Sequence, residues 1–355
     1  SAARGLDRIQ AILAQDRKTA TYKFALIRAL CHISRTQAHL VHWGEEQVHV
    51  PLWSIAIQWL IYYWPLVNAP TFIAQLRGEN PESPKPLAFR GVITSLAQQY
   101  GLQGLWALLR DIDTHPHRFE PALRVIARTV EAGPVKYAGS ARTPVFGYRR
   151  RIQTNRQATH LIGSFGWVAV PESVWLDLSR FDHWIEDSIV VRWAQLSAEM
   201  NPASTVSELL PLLLSVPNSE HDTQEVRNLL SRLAGPLRCV WTDQPIRHDI
   251  HVDHVIPFSV WGNNDLWNLL PSVARVNLAK KDALPSLALI QRRSECIIGY
   301  WREYQALLPG RFDFQISRAL GCNPQNRDWE HRALAGLRET MQKLAATRGL
   351  AMWEP

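Results

Sequence analysis

One short stretch of the chain holds residues able to do metal-assisted chemistry together. Between Arg238 and Ser286 stand the pair Asp253-His254, then Asn268 fourteen residues after the histidine, Asn277 nine further on and Lys281 four beyond that. A carboxylate with a neutral oxygen ligand suits Mg2+, which takes few protein ligands and keeps water and phosphate oxygens around it. A neutral histidine beside such an ion can take a proton from water. A lysine one helical turn from a ligand can balance phosphate charge. Hydrolysis of a phosphodiester needs this combination: an activated water, a cation for the charge on the leaving oxygen, and positioning. Mg2+ is the expected ion, with Mn2+ as the alternative.

These residues must be brought together by the elements that carry them. "IHVDHVIPF" reads as a strand ended by Pro257, "GNNDL" (Gly262 to Leu266) as a turn, and "LWNLLP" (Leu266 to Pro271) as a second short strand. Ser272 is a candidate N-cap for a helix from Val273 to Leu284. On that helix Asn277 and Lys281 share a face, and a helix laid across the two strands turns Asn277 toward Asp253. His251, two before Asp253, lies on the same strand face and is a candidate phosphate contact or a surface histidine, with His248 a weaker one. Lys280 is a candidate nucleic-acid contact. Trp261 and Trp267, which flank the turn, are read as packing.

The pattern resembles the HNH, or ββα-metal, nuclease motif, and its His-Asn-Asn spacing is similar to that of the HNH domain in type II CRISPR nucleases. "RCVWTDQPI" resembles the strand and turn that precede the Asp-His pair in that domain. The resemblance covers about fifty residues. It implies that Asp253 and Asn277 bind the metal, that His254 is the general base, and that Asn268 holds the loop and orients the histidine. Asn277 departs from the family name, because many members have histidine there. No Cys-x-x-Cys pair occurs among Cys31, Cys239, Cys296 and Cys322. The domain therefore lacks the usual zinc staple and must be held by packing.

Outside this region the first third reads as helical. Expected helices run from Thr19 or Thr21 to about Val41, from Trp53 to Trp64, from Phe89 to Asp111 and from Pro121 to Ala132. The apolar run Ser54 to Val67 falls short of the roughly 18–20 residues that span a bilayer, so a buried helix and no membrane partner are expected. From Gly133 the texture becomes β-like, with Gly, Pro and Ser punctuation. Residues 101–160 hold ten Arg or Lys against four Asp or Glu, whereas 161–236 hold four against ten, so a basic surface backed by an acidic helical segment is expected. The sharpest basic cluster is Arg149, Arg150 and Arg151, with Arg142 and Arg156 nearby. It reads equally as a solvated strand end or as a nucleic-acid contact. Helices follow at Pro171 to Asn201, Gln224 to Leu233 and Ser286 to Leu308, and a final amphipathic one carries Trp329, Leu334, Leu337, Met341 and Leu344.

The expected class is α+β, predominantly helical, with a C-terminal ββα-metal domain. Four regions are expected: a helical domain at 1–134, a mixed α/β region at 135–236, the nuclease domain at 237–290, and helices packing on it at 291–355. The net charge of +7 favours a polyanionic partner, and DNA is the expected substrate. A ribonuclease and a catalytically silent HNH-fold binding or scaffold protein are the alternatives. One site has one nucleophile, so one strand should be cut at a time. The opening residues carry charge and give no signal-peptide pattern, and the cysteine usage suits a reducing cytoplasm. "KTATYKFALIRAL" and "GWVAVPESVWLDL" resemble the N-terminal half of bacterial proteins that end in an HNH domain. Many of these act in restriction or phage defence, some beside partner proteins in systems such as Zorya, which implies partners among defence proteins.

Overall fold

Two proline-ended strands organise the N-terminal part of the chain. In a computed structural model, described at all residues except 1–4, 17, 84–85, 140–142, 153–161, 215–222, 234, 248 and 262–263, the chain divides into units Ser1–Pro217 and Asn218–Pro355. The first unit contains α1 (Gly5–Gln10), α2 (Tyr22–Thr36), β1 (His42–Trp43), β2 (Gln47–Pro51), α3 (Leu52–Val67), α4 (Arg90–Tyr100), α5 (Leu105–Thr114), α6 (Pro116–Val130), β3 (Gly147–Arg149), β4 (Trp167–Pro171), α7 (Glu172–Met200) and α8 (Val206–Leu214). Pro51 ends β2 and caps α3, and Pro171 ends β4 and caps α7. Proline suits both positions, since its fixed φ fits a helix start and its missing N–H is not needed there. The two strands pair antiparallel, Pro51 against Trp167 and Gln47 against Pro171, in a sheet of order β1-β2-β4-β3.

The helices pack on this frame. α2 lies against α7 and α3, and its buried face carries charge as well as apolar side chains. Arg28 Nε donates to Glu186 Oε1 at 3.0 Å, and Arg35 Nη1 to Asp182 Oδ2 at 2.9 Å. The Arg28 guanidinium also stacks 4.3 Å from the Tyr62 ring centre. Arginine is tolerated there because each guanidinium meets a carboxylate. The apolar run expected as one buried helix is α3, and no helix among the described residues is long and apolar enough to cross a membrane. The single helix expected from Phe89 to Asp111 is two, because Gly101 takes φ 81° after α4 and the chain turns through Gly104 into α5.

The second unit contains α9 (Gln224–Leu230), β5 (His251–His254), α10 (Phe258–Trp261), β6 (Leu269–Ser272), α11 (Ala274–Lys280), β7 (Leu284–Pro285), α12 (Leu287–Arg292), α13 (Ser294–Leu307), α14 (Pro309–Leu320), α15 (Trp329–Arg348) and β8 (Met352–Trp353). β5 and β6 form an antiparallel hairpin, and β8 pairs in parallel with β7. The helix expected from Ser286 to Leu308 breaks at Arg293, whose backbone leaves the helical region. Side-chain donors from α13 fix the hairpin: Trp301 Nε1 donates to the Trp267 carbonyl at 2.8 Å and Tyr304 Oη to the Leu269 carbonyl at 2.8 Å. Trp261 and Trp267 pack edge to face at 5.7 Å, both buried. The five apolar residues expected on one face of α15 are all buried. The cysteines are all free, and the second unit is built on its own buried apolar core. Helices make up 61% of the structure and the sheets are small, so the class is α+β and predominantly helical.

Candidate active site

The hairpin decides where each polar group points. Asp253 and His254 are consecutive in β5, so their side chains leave on opposite faces of the strand. Asp253 turns into a buried recess. Its Oδ2 accepts from Trp241 Nε1 at 2.6 Å, and its Oδ1 lies 3.3 Å from Lys280 Nζ. Lys280 Nζ also donates to the His254 carbonyl at 2.6 Å. Burial pushes the Asp253 carboxyl up, and the Lys280 ammonium and the Trp241 indole oppose that shift. Burial likewise pushes Lys280 down, opposed by Asp253. The pair is sealed, with Asp253 3% and Lys280 1% exposed.

His254 faces Phe258, edge to face at 5.6 Å, and its Nε2 pairs with Asn264 Oδ1 at 2.8 Å. An amide oxygen can only accept, so the Nε2 carries the proton in this pairing. Asn268 does a different job. Its Oδ1 accepts from the Ile256 N–H at 2.7 Å and its Nδ2 donates to the Ile256 carbonyl at 2.9 Å, while its own carbonyl accepts from Val255 N–H at 2.8 Å. A fully buried amide thus clamps the turn that follows the histidine, and Asn264 is the side chain that meets the imidazole.

α11 packs on β5 and supplies the remaining groups. Asn277 and Lys280 are three apart and share a face. Lys280 reaches Asp253, so the half-buried Asn277 stands on the face turned to β5. The helix stops at Lys280, short of the expected Leu284, and its N-cap is Val273 in place of Ser272. Lys281 is therefore a cap residue at φ 49°, exposed and off the face that carries Asn277. Lys280, expected at nucleic acid, is instead buried against Asp253, because the last helical residue and not the next points inward. His251 is half-buried at the start of β5, and His248 lies outside the described residues. In the first unit Arg149 ends β3, and Arg150 and Arg151 follow beyond the strand, all three exposed. Arg142 and Arg156 lie outside the described residues.

The donor set fits a hard divalent cation. Among the described residues no three His, Cys, Asp or Glu side chains gather to hold a metal. Mg2+ does not require three, since it binds through one or two carboxylates with water and phosphate oxygens completing its shell. Asp253 meets one donor at each oxygen, and a carboxylate oxygen has lone pairs for a second. A buried ammonium already stands beside Oδ1, so a cation bound there competes with Lys280 for that oxygen. Trp241 and Asn264 are the members that reading by sequence does not find, and Lys280 is found with another role. Only Lys280 had a signal, the choice between adjacent lysines at a helix end.

Two family models match the chain. A domain of unknown function (DUF8808) matches residues 2–213, within the first unit, and an HNH endonuclease model matches residues 239–286, which include β5, β6 and α11. No curated protein and no solved structure matches. None of these matches supports a link to Zorya systems.

Proposed function

We propose that the second unit is a divalent-metal-dependent endonuclease acting on DNA, from the premise that the chain belongs to the DUF8808 family and that residues 239–286 are an HNH endonuclease domain. The observation that carries this reading is the buried Asp253 carboxylate, held by Lys280 of α11 within the matched HNH segment. Asp253 and the Asn277 amide oxygen bind Mg2+ or Mn2+. The bound ion supplies a Lewis acid for the charge developing on the leaving oxygen. His254 is the base. Asn264 pairs with its Nε2 and orients the ring, and the neutral imidazole takes the proton from the attacking water. Lys281, exposed at the cap of α11, offers its charge to a phosphate, and His251 and Arg149 to Arg151 are further candidate contacts to nucleic acid.

The net charge of +7 favours a nucleic-acid substrate, DNA on this reading, and one set of site residues per chain favours cutting one strand at a time. The test is cleavage of supercoiled plasmid with and without Mg2+, repeated on RNA. Nicked circles that require the ion, and that Asp253→Ala does not produce, are expected. Direct conversion to linear plasmid at low enzyme removes the single-strand reading. Cleavage of RNA alone identifies a ribonuclease, and no cleavage of either a silent fold. A role in bacterial defence against phage or foreign DNA goes with this reading. It predicts that cells carrying the wild-type chain plate phage less efficiently than cells carrying Asp253→Ala, and equal plating removes it.

A further inference from the structure

We propose that the Trp241 indole N–H is a positioning group for the metal-binding carboxylate, holding Asp253 oriented for a divalent cation. This rests on the reading of Asp253 as a metal ligand. Trp241 Nε1 donates to Asp253 Oδ2 at 2.6 Å, and both side chains are buried. The bond is not a general demand of packing here, because the buried Nε1 groups of Trp53, Trp59 and Trp261 have no hydrogen-bond partner among the described residues. It is also shorter than the indole bonds of Trp64, Trp193 and Trp301, each 2.8 Å.

The backbone under the indole is fixed from two sides. Val240 N–H donates to the Pro271 carbonyl in β6 at 2.9 Å, and Arg293, at the break between α12 and α13, donates through Nε to the Val240 carbonyl at 2.6 Å. Arg293 Nη2 reaches Asp243 Oδ1 at 2.8 Å, pinning the turn where Asp243 takes φ 62°. A donor held this rigidly fixes one carboxylate oxygen and leaves the other toward α11.

The two donors on Asp253 differ in charge, and that difference gives the test its sign. The indole is neutral: it stabilises a buried carboxylate without repelling an incoming cation. Lys280 is a cation, and a divalent ion must compete with it. Trp241→Phe should therefore weaken Mn2+ binding, and Lys280→Met should strengthen it. A residue that merely maintained packing would not give opposite signs at one carboxylate.

The experiment is Mn2+ binding to the full chain, followed by electron paramagnetic resonance, for wild type, Asp253→Asn, Trp241→Phe and Lys280→Met. Thermal unfolding confirms that each is folded. Trp241→Phe should raise the Mn2+ dissociation constant about tenfold, the usual scale for a hydrogen bond to a charged group. Its cleavage rate should recover at high Mn2+, so the loss sits in metal affinity and not in turnover. Should Trp241→Phe not fold, benzothienylalanine at position 241 keeps the ring shape and deletes only the N–H, and the same shift is expected of it. A dissociation constant within twofold of wild type for the N–H-deleted protein overturns the proposal while the nuclease reading stands. Equal Mn2+ binding by wild type and Asp253→Asn overturns both, because Asp253 is then no ligand.

Discussion

Lys280 places its ammonium 3.3 Å from Asp253 Oδ1 and donates to the His254 carbonyl at 2.6 Å, so one side chain ties α11 to both residues of the Asp-His pair. Both members of the ion pair are buried, and removing one partner strands the other charge. Breaking such a pair costs about 3–5 kcal/mol. Lys280→Met should therefore lower the melting temperature of the metal-free protein. Mn2+ should restore more of that loss than it adds to wild type, because the ion takes over the compensation of Asp253. Calorimetry with and without Mn2+ measures both, and an unchanged metal-free melt removes the pair as a stabilising contact.

His254 and Asn264 should separate by magnitude. His254→Ala removes the base and should slow cleavage about 10²–10⁴-fold, the range for positioned proton transfer. Asn264→Ala leaves the ring but frees its tautomer and orientation, and partners of this kind are worth about 10–100-fold. Single-turnover rates at saturating Mg2+ give the comparison. A larger loss in Asn264→Ala than in His254→Ala would reverse the roles.

The site was legible to the extent that it is local in sequence. Asp253 and His254 lie on β5, Asn268 in the turn just before β6 and not on the expected second strand, and Asn277 on α11, elements that follow one another directly in sequence. Trp241 carries no such signal, because its place depends on Arg293, which holds the Val240 carbonyl from 53 residues further along the chain. Spacing points to Lys281 where the fold turns Lys280 inward, since a helix end set by a positive φ at Lys281 leaves no periodic signal. In the first unit the pairing of β2 with β4 joins segments separated by four helices, and nothing in either strand announces its partner. At Gly101 and Gly104 a run of apolar periodicity hides a break between two helices.

Lys281 sits at φ 49°, ψ −128°, a backbone region open to glycine and strained for other residues. Lys281→Gly should thus stabilise the protein by about 1 kcal/mol, since relief of strain outweighs the added freedom of the unfolded chain. If Lys281 also offers its charge to a phosphate, the same variant should bind plasmid less tightly and with a shallower salt dependence. A protein both more stable and less active separates the two roles. Unchanged activity would leave Lys281 as a turn residue only.

Asp243 links acid stability to the Trp241 loop. Hydrogen bonds first from Arg238 and then from Arg293 hold its carboxyl down to about 2, against an ordinary value of 3.8. A carboxyl depressed in the folded state binds its proton less readily than in the unfolded chain, so its contribution is complete above the ordinary value. As pH falls from near 3.8 toward about 2 the unfolded chain takes up the proton first, and the contribution is lost across that window. The side chain is exposed, so salt screens the effect and the shift in melting temperature should be small. Asp243→Asn keeps the shape and removes the charge. It should melt below wild type at neutral pH, and the gap should close as the pH approaches 2. Because Arg293 also holds the Val240 carbonyl, the same variant should raise the Mn2+ requirement for cleavage at neutral pH. Melting curves recorded from pH 7 down to the acid transition decide the first point: a constant gap at every pH would mean that the charge on Asp243 is not what stabilises the turn.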